Sequence, residues 1–80
     1  MSLTVKVPLK LNTINSVKKF NDLVQDVSDE VYLTQGRYIV DAKSIMGIFS
    51  LSLMDEVEII TENPSDSFIE FLRNIEKYIE

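Results

Sequence analysis

The chain has 80 residues, eight basic against thirteen acidic side chains for a net charge of −5, no cysteine and no histidine. That length gives one small domain burying only about 60% of its unfolded surface, with no room for a deep catalytic cleft. The negative charge repels phosphate backbones and anionic lipid, which argues against nucleic acid and membrane surfaces as partners. Without Cys or His there is no disulfide framework, no thiolate nucleophile, no Ser-His-Asp triad and no imidazole metal site.

Leu3, Val5, Val7 and Leu9 alternate with Thr4, Lys6 and Pro8, which predicts a first strand over residues 2–8. Pro8 lacks an N–H and so belongs at a sheet edge or near the strand end. The start of the chain carries no charged segment followed by an apolar one, and no apolar run reaches the roughly 18 residues of a membrane span. These features read as a soluble, cytoplasmic protein.

Asn12-Thr13-Ile14-Asn15-Ser16 is rich in helix-capping side chains. Val17, Phe20, Val24 and Val27 then recur at helical spacing with Leu23 beside them, predicting a first helix to about Val27. Val31 and Leu33 alternate with Tyr32 and Thr34, Gln35-Gly36 can turn the chain, and Arg37 to Val40 is β-branched and aromatic, which predicts a hairpin. A second helix is expected from Ser44 to about Met54, with Ile48 and Leu51 on one side and Ile45, Met46 and Phe49 on another. Residues 56–61 alternate as a fourth strand, punctuated by Asn63-Pro64. Phe68, Phe71, Leu72, Ile75 and Ile79 form the stripe of a last helix, capped by Ser65 or Asp66, or by Ser67 with Glu70 if the helix starts later. The order strand, helix, strand, strand, helix, strand, helix, undivided over residues 1–80, predicts a single α+β domain. Its four-stranded antiparallel sheet would carry the helices on one face.

Asp41 to Leu53, above all the Lys43-Ser44-Ile45-Met46-Gly47 run followed by Ser50-Leu51, resembles the regulatory-serine helix of HPr, the bacterial phosphocarrier of the sugar phosphotransferase system. The resemblance extends loosely through length and element order, and it implies the HPr open-faced sandwich, βαββαβα, in a bacterial protein. HPr carries its phosphoryl group on a histidine just before the first helix, and this chain has none. Matching on Ile14 puts Asn15 at that position, with Val17 and Lys18 where the family has Arg and Pro. Matching on Leu23-Val24-Gln25 puts Ser16 there, with Lys18 at the arginine. Both alignments stay open, and Asn15 or Ser16 also reads as a plain helix cap.

Ser44, at a helix start with Lys43 adjacent, matches the serine that an ATP-dependent HPr kinase modifies in the Gram-positive branch of the family. A phosphate there would meet free N–H groups at the positive helix end. Ile45, Met46 and Phe49 are expected to be partly exposed, as the docking face for protein partners of the phosphotransferase or carbon-regulation type. The expected function is therefore a degenerate, non-enzymatic HPr-like regulatory or adaptor module, with no cofactor and no metal site, Ser44 being its regulatory phosphorylation site. The alternative is a constitutive assembly domain, a homodimer through the Ile45, Met46 and Phe49 face with Ser44 only a cap. A third reading makes Ser16 or an Asp a substitute phosphoryl acceptor. Asp55, Glu56 and Glu58 read as a solvated acidic surface, and Tyr32, Tyr38 and Tyr78 as packing residues with wet hydroxyls.

Overall fold

A computed structural model describes the backbone of residues 3–78 and the side chains of residues 3–76. The elements are β1 (Thr4–Leu9), α1 (Ile14–Val24), β2 (Tyr32–Gln35), β3 (Tyr38–Asp41), α2 (Ile45–Phe49), β4 (Val57–Glu62) and α3 (Asp66–Tyr78). The strands form one antiparallel sheet in the order β1-β4-β2-β3, the α+β architecture expected from the element order. Ile79, the last residue of the predicted α3 stripe, and Ser2, the first of the predicted strand, lie outside the described residues, as does the Tyr78 side chain.

Alternation decides which face of the sheet is covered. Val57, Ile59 and Thr61 of β4 are buried, and their partners Val5, Val7 and Leu9 on β1 and Leu33 on β2 point the same way. Glu58 and Glu62 lie on the other face, in solvent, and Glu56 just before the strand is exposed too. Against the covered face pack Val17, Phe20 and Val24 of α1, Ile48 of α2, and Phe68, Phe71 and Ile75 of α3. Phe20 meets Phe71 edge-on at 5.5 Å, and Phe71 meets Phe68 at 5.8 Å, tying α1 to α3. Thr61, the buried polar residue of the sheet, is satisfied by donating to the Glu30 carbonyl at 2.8 Å.

The turns follow local chemistry. β2 and β3 join through Gly36-Arg37, one residue later than the Gln35-Gly36 expectation. Gly36 takes φ +61° at the first turn position, where a two-residue hairpin favours glycine. Asn63 is also left-handed, at φ 48°. Its N–H donates to the Leu3 carbonyl at 2.7 Å and its side-chain oxygen accepts the Leu3 N–H at 2.8 Å, so it closes the β1–β4 ladder where Pro64 ends it. Leu3 itself is exposed, and the strand runs one residue past its predicted end, through Pro8 to Leu9. Pro8 lies on an edge strand, as its missing N–H requires.

Two further departures from sequence expectation concern where helices end. α1 ends at Val24 rather than Val27, although Val27 is still buried, packed beyond the last helical turn. α2 spans only Ile45–Phe49 instead of continuing to Met54. Ser50 Oγ donates to the Gly47 carbonyl at 2.6 Å, drawing the helix closed. Gln35 then captures the next peptide, its Oε1 accepting the Ser52 N–H at 2.8 Å and its Nε2 donating to the Ser52 carbonyl at 2.7 Å. Main-chain groups that would have extended the helix are thus held by a side chain on β2. Leu51 still reaches the core, from the turn rather than from a helix.

Candidate functional site

Two helix starts and one helix face carry the candidate residues. α1 is capped by Thr13, in extended backbone, whose Oγ1 accepts the Ser16 N–H at 3.0 Å and lies 2.8 Å from the Ser16 hydroxyl. This corrects the expectation that Asn15 or Ser16 is the cap. Ile14 is already helical, so Asn15 and Ser16 occupy the first turn, where Asn15 is exposed and Ser16 half-buried. Lys18 is exposed one residue beyond Val17, whose burial fixes the rotation of the helix. This end of the helix carries exposed polar side chains and no histidine.

Ser44 is the cap of α2, as expected. Its Oγ accepts the Gly47 N–H at 3.2 Å, and the residue itself is exposed. Gly47 eases this approach. A Cβ at that position would stand 3.3 Å from the Val40 Cβ and 3.4 Å from the Ser44 Oγ, so glycine lets α2 lie close on β3. Lys43 departs from the expected arrangement. Its Nζ donates to the Val27 carbonyl at 2.6 Å, and its own carbonyl accepts from Asn21 Nδ2 at 3.1 Å and Gln25 Nε2 at 2.8 Å. The Asp41 carboxylate accepts the Lys43 N–H at 2.8 Å. Lys43 is therefore a clamp between α2 and the end of α1, with its ammonium held by the Val27 carbonyl.

These bonds also separate the two helix starts. The start of α2 lies against Asn21 and Gln25, about two to three turns along α1 from Asn15, or roughly 9–15 Å at the helical rise. Asn15, Ser16 and Lys18 are thus one cluster and Ser44 another.

The α2 face splits as its spacing implies. Ile48 is fully buried, Met46 is 77% exposed and Phe49 39% exposed. Ile45 is intermediate, packing partly on the core while leaving an edge in solvent. Next to the Ser44 hydroxyl the helix therefore presents an uncovered apolar strip whose geometry is set by Ile48 and Gly47 beneath it.

A serine cluster joins the loop after α1 to the start of α3 and was not legible in the sequence. Asp29 Oδ2 accepts the Ser65 N–H at 3.0 Å and the Ser65 hydroxyl at 2.8 Å, while Ser67 Oγ lies 2.8 Å from Ser65 Oγ and accepts the Ser28 N–H at 3.2 Å. Ser65 precedes α3 as expected, with its carbonyl accepting from Phe68 at 3.1 Å. Its side chain turns to Asp29, and because the helix begins at Asp66, the Ser67–Glu70 capping box does not arise. Among the described residues, no group of three or more acidic side chains is placed to hold a metal ion. None of the described helices is long and apolar enough to cross a membrane.

This βαββαβα sheet order, with helices on one face, is the fold of the HPr phosphocarrier proteins. The structure superimposes on HPr from Bacillus anthracis with a TM-score of 0.67 at 22% identity, covering 96% of this chain and 98% of that one. It matches HPr-C-His from Thermoanaerobacter tengcongensis with a TM-score of 0.65, again at 22% identity, over 94% of this chain and 89% of that one. No protein-family model and no curated protein sequence matches the chain.

Proposed function

We propose that this protein is an HPr-like regulatory or adaptor module that binds protein partners through Ile45, Met46 and Phe49 and is switched by phosphorylation at Ser44. It is not an enzyme on this reading and carries no phosphohistidine, since the sequence has no histidine to hold one. The observation that carries the reading is the placement of an exposed capping hydroxyl directly beside an uncovered apolar strip on one short helix. A phosphate ester on Ser44 adds close to two negative charges where the N–H of Gly47 already points, so the modified side chain keeps its anchor. The same charge alters the border of the strip formed by Met46 and Phe49, and a partner docking there meets a different surface in each state. Partners of the phosphotransferase or carbon-regulation type, including an HPr kinase, fit this arrangement.

The test is intact mass after incubation with ATP and an HPr kinase, with Ser44→Ala in parallel. One added phosphate, absent from the Ala variant, is expected. No added mass would leave Ser44 a helix cap and remove the switch from the reading.

A further inference from the structure

The two edges of the sheet are built differently. β1, at one edge, is interrupted by Pro8, which has no N–H to offer an added strand. β3, at the other edge, contains no proline, and Tyr38 and Ile39 on it are 65% and 68% exposed. Gln35 and Tyr38 flank the two-residue turn and close the hairpin, so Tyr38 and Val40 turn their main-chain groups toward β2. Ile39 then directs its N–H and carbonyl outward, along the open edge.

We propose that this edge pairs with a second copy of the same chain, β3 against β3, about a two-fold axis at Ile39. The argument is the charge pattern of the segment Arg37-Tyr38-Ile39-Val40-Asp41. Run antiparallel to itself about Ile39, it sets Arg37 opposite Asp41 of the second copy, Tyr38 opposite Val40, and Ile39 opposite Ile39. Both charged positions therefore find opposite charge, twice by symmetry, in a register that also makes the outward-facing Ile39 groups a hydrogen-bonded pair. A shift by one residue loses both ion pairs and places the outward Ile39 groups out of register. Ile39 and Asp41 share the uncovered face of the sheet, where Ile39 continues the row through Thr34 and Asp41 the row through Tyr32, and Arg37 stands at the hairpin turn just before β3. Pairing joins the two sheets into one and buries Ile39 against its own copy.

The ladder is short. The Asp41 carbonyl already accepts the Ser44 N–H at 3.0 Å, which ends pairing at that residue, and each chain carries a net charge of −5. The association is therefore weak and reversible. It lies on the sheet edge and uses none of Ile45, Met46 and Phe49, so it stands or falls apart from the α2 reading.

Sedimentation equilibrium over a wide concentration range tests it, using the full chain. Wild type is expected to show a concentration-dependent approach to twice the monomer mass. Arg37→Asp, which sets like charges together at both ends, weakens self-association about tenfold. The double variant Arg37→Asp with Asp41→Arg restores it. Because Asp41 also accepts from the Lys43 N–H, Ile39→Lys is the second probe; its side chain is in solvent and its effect does not depend on the start of α2. Phe49→Asp is expected to leave the dimer intact. A protein monomeric at every concentration overturns the proposal, and so does a dimer abolished by Phe49→Asp and untouched by Arg37→Asp and Ile39→Lys.

Discussion

Thr13 at the start of α1 and Ser44 at the start of α2 hold the same post. Each sits in extended backbone and accepts the N–H of the residue three positions on, at 3.0 Å for Thr13 and 3.2 Å for Ser44. What separates them is what each helix does next. α1 runs eleven residues and commits Val17, Phe20 and Val24 to the core, leaving polar Asn15, Ser16 and Lys18 around its start. α2 runs five residues, commits only Ile48 fully, and leaves Met46 and Phe49 in solvent beside the cap. The same capping bond is thus structural at one helix and stands beside an apolar strip at the other. Capping geometry alone does not single out Ser44; the neighbouring surface does, and it is the ground on which Ser44 is proposed as the switch.

The comparison can be broken first at its base. Ile48→Ala removes the fully buried anchor of α2 and should cost about 2–5 kcal/mol, read by urea unfolding. A loss below about 1 kcal/mol would mean that α2 is held by something other than Ile48. Gln35→Ala comes next. It strips both hydrogen bonds from the Ser52 peptide and should cost about 1–3 kcal/mol, with faster amide exchange at Ser52 than at Val24. The caps sharpen the comparison directly. Thr13→Ala and Ser44→Ala should each cost about 1 kcal/mol in thermal unfolding, because both lose the same capping bond, Thr13 also losing its exposed contact with the Ser16 hydroxyl. A Ser44→Ala cost several times that of Thr13→Ala would show that Ser44 anchors more than its helix. Smallest in stability is Met46→Asp, expected within about 0.5 kcal/mol of wild type because the side chain is 77% exposed. Its expected effect is on binding, with loss of capture of an HPr kinase on an immobilised column.

Much of the fold was legible because two periodicities carry it. Alternation along β1 and β4 identified the covered face, and the stripe Phe68, Phe71, Leu72 and Ile75 identified α3, since both patterns arise from burial that the final packing also requires. Ser44 was legible as a cap because a serine, a preferred capping residue, stands directly before the apolar run. The length of α2 was not. Its apolar pattern runs to Leu53, but the Gln35 side chain, seventeen residues away, takes the Ser52 peptide, and no local signal announces so distant a partner. The cap of α1 was misplaced because Thr13, Asn15 and Ser16 are all competent, and only the burial of Val17 sets the rotation that selects Thr13. Lys43 looked like a helper for Ser44 by adjacency. Its long side chain reaches instead to the Val27 carbonyl, a choice made by how α2 packs on α1.

The most direct measurement is site-mapped mass spectrometry of the full chain under two phosphoryl donors, ATP with an HPr kinase and phosphoenolpyruvate with Enzyme I. The account predicts phosphate on Ser44 with the first donor and none anywhere with the second. Phosphate on Ser16, or on any residue of the α1 start, from phosphoenolpyruvate would contradict it. Such a result would make α1, rather than α2, the working end of the molecule.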